Sequence, residues 1–184
     1  MLISICGKSG SGKSTLAKML NENIENSVLI DIDKIAHNIY NIEACKEEMV
    51  KHYGPYILTN NEVDRRILSK IVFSSKKEMD ELEKITWKYM ERVIDYQLEK
   101  NKDKINILEW INLPKTKYLK ESKIRILLNV PNDIRKERVL ERDKISTSDF
   151  DLRDSASLTY DNNEFNIVLD EINENTIERI KKEL

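Results

Sequence analysis

Gly7, Gly10, Gly12, Lys13 and Ser14 fit the order G-x-x-x-x-G-K-S, a spacing suited to holding a polyphosphate. Glycines let backbone N–H groups turn inward onto anionic oxygens, and a following helix points its positive end at the same place. Gly7, Lys8, Ser9, Gly10, Ser11, Gly12, Lys13, Ser14 and Thr15 are therefore the candidate nucleotide-binding stretch. In that role Lys13 reaches the outer phosphates of ATP and the Ser14 hydroxyl sits on Mg²⁺. The plainer alternative is a flexible Gly/Ser turn. Average glycine usage makes a chance match on the order of one in a hundred for a chain of this size. Three of the four glycines in the chain fall within these six positions, which favours the phosphate loop.

The flanking segments suit that loop. Met1 to Cys6 is a short apolar run that reads as a strand, and helical spacing begins at Thr15. A second strand, Ser27 to Asp31, ends in Asp31-Ile32-Asp33. Carboxylates at a strand end beside a phosphate loop sit where ligands bind in an open α/β sheet. Asp33 is the stronger candidate for acting on an acceptor and Asp31 the weaker. The competing role is capping of the next helix, for which Asp33 is well placed.

Helical patterns then run through Ile35 to Tyr40 and over 43–53, where Gly54-Pro55 breaks them. Asn60-Asn61 marks a turn, Asp64 caps a helix beginning at Arg65, and Ser74-Ser75 caps a long helix over 76–100. A third strand, 105–109, ends in Glu109, a candidate to reach Mg²⁺ through a water, with simple solvation as the alternative. A fourth strand covers 124–130, and Asn132 or Asp133 caps a helix over 133–143 that carries Arg135, Arg138 and Arg142. Residues 144–157 are rich in Ser and Asp without a long apolar face, and read as a mobile lid. Arginines at its base can clamp phosphoryl oxygens, Arg142 foremost, or form surface ion pairs of little worth. A fifth strand over 166–170 and a helix from Asn173 complete the pattern.

The predicted architecture is α/β: a three-layer sandwich of the P-loop NTPase type with a five-stranded parallel sheet. Its single domain has a core over 1–40, 104–142 and 164–184, an all-helical insertion over about 41–103 and the lid over about 143–160. With 184 residues and a net charge of −2, there is no global field to draw nucleic acid or a membrane surface. Partners are expected to be small molecules, and the chain a monomer or weak homo-oligomer. The short apolar start predicts neither signal peptide nor anchor. Cys6 and Cys45 fit reduced, buried thiols of a cytoplasmic protein, and His37 and His52 are too far apart in sequence for a zinc cluster. A GTPase would need D-x-x-G and N-K-x-D, yet Asn101-Lys102-Asp103-Lys104 has its acid in the wrong place. A small-molecule kinase remains, since a closing lid keeps water from the phosphoryl group.

Over most of its length the chain resembles the dephospho-CoA kinase family. The resemblance is carried by the phosphate loop, Leu29-Ile-Asp-Ile-Asp-Lys-Ile-Ala-His37, His52-Tyr-Gly54, Val63-Asp-Arg-Arg-Ile-Leu68 with Ile71-Val-Phe73, Ile107-Leu-Glu109, and Arg138-Val-Leu-Glu-Arg142-Asp143. It implies that Asp33 is the base for the acceptor ribose hydroxyl, that Arg65 helps hold the acceptor, and that Arg142 contacts nucleotide phosphates. The chain departs from the family pattern at Trp87-Lys88, Lys115, Ser157 and Phe165-Asn166, mostly on the acceptor side and in the lid. Two alternatives therefore stay open beside transfer to the 3′-hydroxyl of dephospho-CoA. One is a kinase for another acceptor, such as a nucleoside or nucleotide, and the other is a non-catalytic ATP-binding regulator.

Overall fold

The computed structural model describes residues 1–72 and 75–184. Phe73, the end of one motif above, and Ser74, half of an expected cap, lie outside the described residues. The chain forms β1 (Leu2–Gly7), α1 (Lys13–Asn23) and β2 (Ser27–Ile30), then α2 (Ile32–Asn38), α3 (Glu43–Tyr53), β3 (Leu58–Thr59), β4 (Glu62–Val63), α4 (Arg65–Val72) and α5 (Lys76–Lys100). It continues through β5 (Ile105–Glu109), α6 (Lys117–Glu121), β6 (Ile124–Leu128), α7 (Asn132–Asp143), α8 (Thr147–Ser155), β7 (Ile167–Leu169) and α9 (Thr176–Lys181). Two units result: Met1–Ile30 with Asn101–Leu184, and Asp31–Lys100.

In the first unit the sheet runs β2-β5-β1-β6-β7, every neighbour parallel. Ile3 pairs with Ile107 on one side and Ile124 on the other. Because side chains alternate along a strand, Ile3 and Ile5 face one way and Leu2, Ser4 and Cys6 the other, and all five are buried. Burial on both faces is what a parallel sheet needs, and is why β1 reads as an apolar run broken only by Ser4 rather than as an alternating strand. Leu16, Ala17 and Leu20 of α1 and Ile177 and Ile180 of α9 close over Ile3, Ile5, Ile107 and Ile126. The connections β1 to β2 and β5 to β6 run in opposite directions across the sheet. Right-handed crossovers then put α1 and α6 on opposite faces, so a crevice opens beyond the carboxyl ends of β1 and β5.

In the second unit α5 packs against α2, α3 and α4, burying Ile85, Tyr89, Met90 and Ile94 at helical spacing. The Ser75 hydroxyl accepts from the Glu78 N–H at 3.2 Å, and Asp64 accepts from the Arg66 and Ile67 N–H groups at the head of α4. The expectation of an all-helical insertion over about 41–103 is corrected by β3 and β4. Asn60 and Asn61 both take left-handed φ, 51° and 65°, and close β3 and β4 into a two-residue hairpin.

Two other expectations are corrected. Asp31, not Asp33, caps α2 by accepting from the Lys34 N–H at 2.8 Å. Neither Asn132 nor Asp133 caps α7, whose N-cap is Pro131. The stretch read as a mobile lid contains α8, which forms behind a capping box in which Ser146 and Asp149 each satisfy the other's backbone N–H.

Candidate active site

The phosphate loop spans the end of β1 and the start of α1. Gly7, Gly10 and Gly12 all have positive φ, of 149°, 79° and 93°. A Cβ on Gly7 would meet the Leu128 carbonyl oxygen at 2.7 Å, and one on Gly10 the Arg135 carbonyl oxygen at 2.5 Å. Only glycine lets the loop lie this close to β6 and α7. Gly12 is the N-cap of α1 and offers no side chain to its N–H groups, while the first turn carries no acid. The positive helix end is therefore left for an anion. Ser11 Oγ is buried and, among the described residues, has no hydrogen-bond partner, as a group turned towards a ligand would be.

Lys13 Nζ donates to the Lys8 carbonyl at 3.2 Å, folded over the loop. Ser14 Oγ donates to Glu109 Oε1 at 2.9 Å, so the hydroxyl at the head of α1 and the acid ending β5 meet at the crevice. Thr15 is exposed in the first turn of α1. Beneath the loop, burial pushes the Cys6 thiol up to about 12, with Lys13 pulling the other way.

The three arginines of α7 separate in role. Arg142 is exposed, pairs with Asp143 at 2.7 Å, and reaches Ser9 Oγ at 3.4 Å. Arg138 donates to the Gly10 carbonyl at 3.2 Å. Arg135 is buried and forks onto Asp154 of α8, at 2.6 and 3.3 Å. Lys8 Nζ lies 3.5 Å from the same carboxylate. The Arg135 hydrogen bond holds the Asp154 carboxyl below the usual carboxylate range. Sequence reasoning missed Asp154 because nothing local marks it: its partner is 19 residues away. Tyr160 was missed as well. It donates to the Ile111 carbonyl at 2.9 Å, and burial pushes its phenol up. Ser9, Val139, Asp143, Phe150, Arg153 and Asp154 are among the residues that line a cavity of about 200 Å³ beside the loop.

Asp33 and Arg65 belong to the second unit. Asp33 is exposed in the first turn of α2, and its carbonyl lies 2.9 Å from His37 Nδ1. Arg65 donates to the His37 carbonyl and stacks 5.0 Å from the Tyr40 ring centre. Arg65 and Tyr40 help to line a mostly apolar cavity of about 270 Å³ with Ala36, Leu68 and Met79; Asp33 is not among its lining residues. Trp87 is half-buried on α5.

The family model described as dephospho-CoA kinase matches residues 1–176. A dephospho-CoA kinase of Aquifex aeolicus is 33% identical over 155 residues, covering 82% of this chain and 77% of its own. A solved structure from Thermus thermophilus superposes with a TM-score of 0.80 at 25% identity, over 99% of this chain and 94% of that one. A dephospho-CoA kinase from Campylobacter jejuni gives a TM-score of 0.56 at 21% identity, over 99% and 92%, and speaks for the fold alone.

Proposed function

We propose, for a chain that belongs to the dephospho-CoA kinase family, that it moves the γ-phosphoryl group of ATP to the ribose 3′-hydroxyl of dephospho-CoA. The single observation that best supports a working donor site is the meeting of Ser14 Oγ with Glu109 Oε1 at 2.9 Å. Two oxygen donors at the mouth of a phosphate loop suit a hard cation that keeps most of its waters. Magnesium, when bound, would neutralise charge on the β and γ oxygens. Glu109 would hold it through a water and Ser14 directly.

In this reading the loop N–H groups and Lys13 hold the donor triphosphate, and Arg142 offsets its charge. Arg65 holds the acceptor, and the Asp33 carboxylate takes the proton of its hydroxyl. The hydroxyl oxygen forms the new bond to the γ-phosphorus as the bond to the bridging oxygen breaks, releasing ADP. Positioning of this kind supplies roughly 7–11 kcal/mol of the barrier.

Coupled ADP release with Mg-ATP, comparing dephospho-CoA with a panel of nucleosides and nucleotides, tests the proposal. Turnover on dephospho-CoA above the panel is expected. Turnover only on another acceptor would overturn the acceptor assignment, and none on any, with ATP bound, would overturn the kinase assignment.

A further inference from the structure

Asp154 holds a buried cation, and that cation holds the phosphate loop. Arg135 is 5% exposed. Its Nε donates to the Val130 carbonyl at 3.0 Å, beyond the end of β6. One terminal nitrogen donates both to the Ser9 carbonyl at 3.3 Å and to Asp154 Oδ1 at 2.6 Å. The other reaches Asp154 Oδ2 at 3.3 Å, where Asn132 Nδ2 also donates at 3.0 Å. Lys8 Nζ donates to the Asp154 carbonyl at 3.3 Å as well as pairing with its carboxylate. From the other side, the Arg135 backbone lies close enough to Gly10 to exclude any Cβ there. Ser9 and Gly10 thus run between the side chain and the backbone of one residue, whose orientation is set by a carboxylate on α8.

We infer that Asp154 is a positioning residue for the donor site: acting through Arg135 and Lys8, it keys the backbone of the phosphate loop to α8. The inference rests on the donor-site reading proposed above. A buried guanidinium that loses its carboxylate leaves an uncompensated charge, which must turn towards water or another acceptor. Either movement withdraws the hydrogen bond that the planar fork extends to Ser9. The Lys8 ammonium loses its resting place at the same time. The amides of Ser9 to Gly12 then sample more orientations, and a polyphosphate must order them on binding. Asp154 touches no substrate in this scheme, and its effect falls on donor binding rather than on the chemical step.

The test measures binding of a non-hydrolysable ATP analogue with magnesium by calorimetry, steady-state kinetics, and amide exchange over residues 8–12. Asp154→Asn is expected to weaken analogue binding and raise KM for ATP about tenfold, while kcat at saturating ATP stays within about twofold. Exchange over 8–12 should speed up while β1 stays protected, a local signature that general destabilisation would not give. Asp154→Glu, which keeps the carboxylate, should recover most of the affinity. Should Asp154→Asn fold poorly, the double variant Arg135→Gln with Asp154→Asn removes both charges and should show the same loss of affinity. Wild-type affinity in that double variant would overturn the inference. Lys13→Ala is the control. If it weakens the analogue and Asp154→Asn does not, the positioning role falls alone. If neither variant weakens it, the donor-site reading falls with it.

Discussion

Gly10→Ala tests the close approach of the phosphate loop to α7. Gly10 has φ of 79°, and an L-residue held in the left-handed region costs about 1–2 kcal/mol. The new Cβ would lie 2.5 Å from the Arg135 carbonyl oxygen and 2.9 Å from Val139 Cγ2. That carbonyl belongs to the backbone of α7 and has no rotamer by which to withdraw, so overpacking adds about 1–3 kcal/mol. The total, roughly 2–5 kcal/mol, corresponds to a fall in Tm of about 4–20 °C in a chain of this length. Gly12→Ala is the matched comparison. Its φ is 93°, but the nearest atom to a new Cβ is Ile172 Cδ1 at 3.1 Å, the free end of a flexible side chain. Only the backbone cost of about 1–2 kcal/mol should appear there. Thermal and urea unfolding of both variants decide the matter. A loss of stability in Gly10→Ala no larger than in Gly12→Ala would refute the steric argument.

Asp33→Asn should cut turnover by orders of magnitude while ATP binding persists, as steady-state kinetics beside calorimetry will show; near-normal turnover would remove Asp33 as the base. Because Arg135 holds the Asp154 carboxyl below its ordinary value, the stabilisation is complete above the unfolded value near about 3.9 and fades as pH falls through the lower folded one. Urea midpoints measured from neutral pH downward should therefore fall more steeply below about pH 4 in the wild type than in Asp154→Asn, and equal acid limbs would contradict the pairing. Burial raises the Cys6 thiol to about 12 and the Cys45 thiol to about 11. Iodoacetamide at about pH 8 should modify neither in the native chain and both in denaturant, whereas rapid native alkylation would contradict their burial.

What the sequence alone could settle was local. The phosphate loop was legible because glycine at Gly7, Gly10 and Gly12, with Lys13 and Ser14 following, expresses a backbone path that one short segment adopts by itself. The 3.6-residue apolar period of α5 and the short, mostly apolar runs of β1 and β5 were legible for the same reason. The Asn60-Asn61 turn was read, but not the hairpin around it, since strands of two residues carry no period. The helix α8 escaped because it buries only Phe150 and so shows no stripe; its one local signal was the Ser146 and Asp149 capping box.

Tertiary structure decided the rest. No window of sequence says that β1 lies between β5 and β6, because strand order depends on which apolar faces are covered together. The meeting of Ser14 with Glu109, 95 residues apart, follows from that order. So does the choice among three similar arginines, of which Arg135 is buried against Asp154 while Arg142 stays exposed. A charge acquires its function from the partners that long-range packing brings to it, and those partners are not written beside it in the chain.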